Sequence, residues 1–343
     1  MPRRYYLGLF LLGLIAALVS AYLQTSPGYM DAYYYYYNGV QLAEGAGFNE
    51  MFIWNYLDSP TGLPHAAFSY WMPFTSFIAA AGIKLFSGIW GVFRSAQISF
   101  ILIAACIPPL TAALSWEITK GRKFAIFSGL LAAFMGYYQP FVVAVDAFGI
   151  YMLLGGLFFL TAIKDWSGKN FLLGLLAGLL HLTRADGILW LGMAALVVVF
   201  EQPPEDRLSL LRRVFNKKNI AAGMVVFVGY LVILTPWFLR NYFAFGSILS
   251  PGGGSTIWVL DYDELFAYPA EILTFSRWWD AGITELLRIR FEALLINLQS
   301  TGASLGMIFP GVLAFLGAFR YRKERLIQLG FSYWLLLILV MTV

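Results

Sequence analysis

Apolar runs of bilayer-crossing length recur along this sequence, divided by short clusters of Arg and Lys. Inside lipid every backbone N–H and C=O must be bonded within the protein, and runs of about 20 apolar residues meet that demand as helices. Hydrophobic residues make up 60% of the 343 and charged residues 12%. That balance excludes a soluble domain and predicts an all-α, polytopic transmembrane helical bundle. The net charge of +4 sits in clusters between apolar runs, so it sets topology and is no nucleic-acid footprint. Cys106 is alone, which excludes a disulfide framework and a thiolate metal site. His65 and His181 share no ligand spacing.

The first span is expected over residues 6–24. Arg3 and Arg4 place its start in the cytoplasm. The same start fits a signal peptide, with Val19-Ser20-Ala21 as its cleavage site; an uncleaved span is the preferred reading. Residues 25–72 contain no Lys or Arg, as an external loop should. Within this loop (25–70), residues 38–46 read as a short amphipathic helix. Residues 71–90 are apolar but carry Pro73 and Lys84. If they lie along the outer interface, the clusters at 120–123 and 164–169 both fall inside. Further spans follow at 95–119, 124–141 and 147–163. Residues 171–183 and 188–200 read as a hairpin of two short helices, with Arg184-Ala185-Asp186-Gly187 at its external tip. One long helix over 171–200, with a full crossing at 71–90, is the alternative. A cytoplasmic loop over 201–218 and a span at 220–239 come next. A second external loop, 240–299, holds a mobile-looking Pro251-Gly252-Gly253-Gly254 and an amphipathic stretch at 281–298. A span at 301–319 precedes basic residues 320–325. The whole, 1–343, reads as a single module, and its end inside an apolar run points to truncation.

The charges expected outside lie at span ends and in the two loops. Helices as short as 171–183 work only if their tip is buried in protein or opens to a water-filled cavity, and that cavity would hold Arg184 and Asp186. Asp31, at the outer edge of span one, is the strongest candidate for a general base, because an ionisable group at membrane depth is costly and tends to be functional. Asp146 reads equally as a second catalytic carboxylate or as a helix N-cap. Converging, Asp31 and Asp146 would offer oxygen ligands to a divalent metal, Mg or Mn. Arg240, closing a span, suits a lipid phosphate through planar paired bonds. Arg184 is a second donor-phosphate candidate, or it forms a structural clamp with Asp186. Tyr33 in the five-Tyr run, His65, Asp186, Asp261, Asp263 and Glu264 are candidate substrate contacts; interface anchoring or solvation also accounts for several of them. Gly174 and Gly178 mark close helix packing. There is no P-loop and no dinucleotide fingerprint, so an activated donor outside the cell would arrive on a lipid.

Three stretches carry a family likeness: Asp31 with the Tyr-rich sequence and Leu42-Ala43-Glu44-Gly45 after it; residues 141–159 with Asp146; and Leu180-His181-Leu182-Thr183-Arg184-Ala185-Asp186-Gly187 together with Pro236-Trp237-Phe238-Leu239-Arg240-Asn241-Tyr242. They resemble the N-terminal membrane module of GT-C superfamily glycosyltransferases, which include protein O-mannosyltransferases, the lipid A aminoarabinose transferase and the catalytic subunit of oligosaccharyltransferase. The resemblance implies a GT-C bundle with two large external loops carrying short amphipathic helices. It implies an inverting transfer from a polyprenyl-phosphate or -diphosphate sugar to an unidentified protein, lipid or glycan acceptor on the extracytoplasmic face. It assigns Asp31 to the catalytic centre and Asp146 to the second acidic position. Ala32 stands where O-mannosyltransferases pair Asp with Glu, and Trp278-Trp279-Asp280 reads as a coincidental match to an acceptor-binding motif. The rival readings are a lipid or solute transporter or flippase, and an inactive scaffold subunit. A transporter predicts mid-span polar residues and internal repeats, and neither stands out here.

Overall fold

The computed structural model describes residues 1–200, 214–306 and 309–342. Regular structure among them is almost all helix, joined by one antiparallel pair, Asn49–Glu50 with His65–Ala66. Among the described residues four helices are long and apolar enough to cross a membrane: α1 (Arg3–Leu23), α4 (Val92–Thr119), α10 (Lys217–Phe245) and α15 (Arg325–Thr342). The loop expected over 201–218 falls mostly outside the described residues.

Side-chain contacts show which helix ends lie together. At one end Lys120 and Lys164 both pair with Glu117 at 2.5 Å, and the Arg122 guanidinium lies 5.6 Å from the Tyr5 ring. The basic clusters after α1's start, α4 and α7 (Ala147–Ile163) therefore share one end, as the positive-inside reading requires. At the opposite end Arg94 donates to Ala21 O at 2.6 Å, and Gln97 donates to Gln24 at 2.7 Å. α3 (Phe74–Trp90) has 17 residues, short of a full span. It folds back on α4 at Gly91, whose φ is +73°, and Gly82 packs against Ser95.

Helix α2 spans Met30–Glu44, beginning well before the expected 38–46. Asp31 thus stands in a first helical turn and not in a loop. Burial rather than local amphipathicity extends the helix: Tyr34 and Tyr35 are 2% exposed, and Gly39 meets Ala79 of α3. The span expected at 124–141 is broken. α5 (Arg122–Ala133) stops, the chain bends by 50°, and a 3-10 turn leads into α6 (Gln139–Val143). Gly136 at φ +58° and Pro140, which has no N–H to donate, supply the break.

α8 (Lys169–Thr183) and α9 (Leu189–Val199) are two short helices, as expected. Between them the chain reverses so tightly that a Cβ on Gly187 would lie 2.2 Å from Leu180 O. Gly174 and Gly178 face α10, with a Gly174 Cβ position only 2.0 Å from Val226 O, so the pair is a packing device. α10 runs past the expected end at 239 to Phe245, which places Arg240 inside the helix. In the region expected as the second external loop, Pro251–Ser255 forms the short helix α11. Gly252 serves close approach: its N donates to Ser69 O at 2.8 Å, and a Cβ there would meet Tyr70 at 2.7 Å. After α12 (Phe275–Asp280), the amphipathic stretch forms α13 (Ile283–Ser304). The span expected at 301–319 is not one helix: α13 ends at Ser304, Gly306 takes φ +90°, and α14 covers Phe309–Arg320.

Candidate functional site

Asp31, Asp146, Arg184 and Asp186 come together where α2, the start of α7 and the α8–α9 turn meet. Asp146 caps α7: one oxygen accepts the Ala147 N–H and the other the Tyr29 hydroxyl at 2.7 Å. Its structural duty and its place in the site are therefore not exclusive. Asp146 is 3% exposed. Burial raises its pKa to about 6, and Asp31 adds to the rise, while the Tyr29 and Ala147 bonds and Arg184 oppose it. Arg184 caps the end of α8. It donates to Asp186 at 3.0 Å, lies over the Tyr151 ring at 5.7 Å, and exerts its field on both Asp31 and Asp146.

The Asp31 carboxylate differs from these. Among the described residues it has no hydrogen-bond or ion-pair partner, though it is half-buried. Burial pushes its pKa above the ordinary carboxylate value and Arg184 pulls it back. Asp31 also borders a narrow cleft between the first large loop and the loop that follows α10. Trp54, Asn55, Tyr70 and Trp71 line it from the first loop, and Tyr262, Leu265 and Phe266 from the second. The loops are joined around it by Ser59–Glu271 and by a small core of Leu57, Ala270 and Leu273. Among the described residues no group of three or more His, Cys, Asp or Glu is arranged to hold a metal ion.

Other predicted residues lie elsewhere. Arg240 donates to Ala67 O at 2.5 Å and Phe48 O at 3.4 Å, and its guanidinium sits 4.9 to 5.3 Å from the rings of Phe245, Trp237 and Phe48. It ties the first loop to α10. His65 bonds Asp58 at 3.0 Å and Phe52 O at 2.8 Å within that loop. Tyr33 stacks on Tyr37 at the surface. Asp261 caps the short turn at Asp263, and Glu264 pairs with Arg277.

Sequence reasoning passed over two groups. Glu50 is 1% exposed and accepts from Tyr34 Oη at 2.5 Å, Phe68 N at 3.0 Å and Asn38 Nδ2 at 3.4 Å. Burial raises its pKa against those bonds. The alternation Phe48-Asn49-Glu50-Met51-Phe52, apolar on the inner face, is the signal that would have turned Glu50 inward. Asn55, 4% exposed, has no comparable signal. No family profile, curated protein or solved structure matches the chain.

Proposed function

We propose that the protein is a membrane glycosyltransferase that moves a sugar from a polyprenyl-phosphate-linked donor to an acceptor at the extracytoplasmic face. The observation that carries this reading is the half-buried, unpartnered Asp31 carboxylate between a loop-walled cleft and the Arg184 cation. A base needs such a position, within reach of an acceptor and free of competing bonds. The acceptor hydroxyl or amide gives its proton to Asp31, and its oxygen or nitrogen bonds to the anomeric carbon. The bond from that carbon to phosphate breaks, the electron pair leaving with polyprenyl phosphate. One displacement of this kind inverts the anomeric centre. Arg184 faces the charge that develops on phosphate.

We assign the phosphate role to Arg184 over Arg240, whose Nη2 already donates to Ala67 O and Phe48 O and whose Nη1 donates to Asn241 Oδ1. Two carboxylates with phosphate oxygens are an ordinary set for Mg²⁺. Such an ion would be held by Asp31 and Asp146 and would supply charge neutralisation. The test is binding and turnover of a polyprenyl-phosphate sugar by detergent-purified wild type and Asp31→Asn. Donor binding by both with turnover by wild type alone is expected. Full turnover by a folded Asp31→Asn protein overturns the proposal.

A further inference from the structure

The basic end of the bundle holds a hollow that the proposed reaction does not use. It lies where the start of α1, the end of α4 and the start of α5 meet, and its volume is about 560 Å³. Lys120, Arg122 and Lys123 line it, with Trp116, Phe124 and Pro2. Among the described residues no carboxylate stands in that lining, and the first turn of α5 carries none. Glu117 is close by, but its two oxygens go to Lys120 and to Lys164, each at 2.5 Å. The Arg122 guanidinium rests 5.6 Å from the Tyr5 ring, where Arg4 also lies, 5.3 Å away. Among the described residues neither Arg122 nor Lys123 has an ion-pair partner. Positive charge at a helix end orients a span whether or not anything binds. That rule does not require three cations around one space of small-molecule size.

The position selects the occupant. α1 and α4 are both long and apolar enough to cross a membrane. With both spanning, a hollow at Pro2 and residues 120–124 lies at the depth of lipid headgroups. From Phe124 an exposed apolar stripe of Phe127 and Leu131 continues along α5 at helical spacing. An anion held among the cations therefore has an apolar track leading away from it. A phospholipid has that build, a phosphate with acyl chains attached. A free phosphate ester satisfies the cations and leaves the track empty. A zwitterionic headgroup brings its own cation into a space that already holds three.

We propose that this hollow binds the phosphate of an anionic phospholipid from the surrounding leaflet, with an acyl chain along the exposed face of α5. Basic pockets between membrane helices hold anionic headgroups in this way. The site lies at the opposite end of α1 from Asp31, and the inference does not rest on the proposed transfer.

The experiment is native mass spectrometry of the full chain released from detergent. It is titrated with phosphatidylglycerol, with phosphatidylcholine of the same acyl chains, and with glycerol phosphate. Phosphatidylglycerol should be held roughly tenfold or more tightly than either, given two unpaired cations. A basic residue near a membrane surface is worth about fivefold in binding an anionic lipid, so Arg122→Gln and Lys123→Gln should each weaken phosphatidylglycerol by that factor. Both side chains are exposed, so neither change disturbs a core. Lys323→Gln removes the same charge from the basic cluster at 320–325, outside the hollow, and should leave binding near wild type. Equal weakening by Lys323→Gln overturns the proposal, because the lipid is then held by general charge. Wild-type binding in both Arg122→Gln and Lys123→Gln overturns it, because the lipid then lies elsewhere. Equal affinity for phosphatidylcholine overturns it as well. Glycerol phosphate bound as tightly as phosphatidylglycerol overturns it in favour of a soluble phosphate ester.

Discussion

Replacing Glu50 with Leu should loosen the first large loop by an amount the hydrogen bonds themselves define. The carboxylate accepts from Tyr34 Oη, Phe68 N and Asn38 Nδ2. Two of these donors have a second acceptor: Phe68 N reaches Tyr34 Oη at 3.1 Å and Asn38 Nδ2 reaches Tyr34 O at 3.1 Å. Only the Tyr34 hydroxyl is orphaned, and Tyr34 is 2% exposed. An unpaired buried donor costs about 1–3 kcal/mol. Leu nearly matches the bulk of Glu, so no large cavity adds to this. At 1.36 kcal/mol per tenfold change, local opening becomes roughly 5- to 150-fold more frequent. The amide of Ala67, bonded to Phe48 O at 3.0 Å, reports it. Its hydrogen exchange in detergent should accelerate by that factor. Glu50→Gln keeps a carbonyl acceptor for Tyr34 and should change exchange far less. Wild-type protection of Ala67 in Glu50→Leu, or equal loss in Leu and Gln, would show that the network does not hold the loop.

Activity should need an ionised Asp31, so it should fall on the acid side through a pKa raised above the usual 3.8 by burial; a pH–rate profile reads this. Arg184 lowers that pKa, so in Arg184→Gln the acid limb of the residual activity should move to higher pH. Asp146 is raised from 3.8 to about 6, so the fold favours its protonated form. The stability this confers is complete below the unfolded value and is lost as pH rises to about 6, on the order of 3 kcal/mol; Asp146→Asn should flatten unfolding temperature between pH 4 and 7. Gly174→Ala forces a Cβ onto Val226 O and should destabilise by about 1–3 kcal/mol or more. Gly223→Ala, with open space around it, should not lower the unfolding temperature.

What the sequence determined by itself is local in origin. Hydropathy set an all-α chain with membrane-length helices. Arg and Lys clusters predicted which ends lie together, and the Glu117 pairs with Lys120 and Lys164 agree. The break at Arg184 and the packing of Gly174 and Gly178 were readable because turns and small-residue spacing are properties of neighbouring residues. Asp31, Asp146 and Arg184 stood out because charge at membrane depth is rare.

The tertiary structure alone decided which of these groups are free. Arg240 and Asp31 look alike in sequence, each a charge near a span end. Arg240 is occupied by a carbonyl 173 positions away, whereas Asp31 has no partner among the described residues and borders a cleft. Asp146 meets Tyr29 across 117 positions. Glu50 and Asn55 read as loop polarity until the loops close over them. The physical reason is that burial and bond satisfaction are fixed by distant chain segments arriving at the same point, and no local window of residue types carries that information.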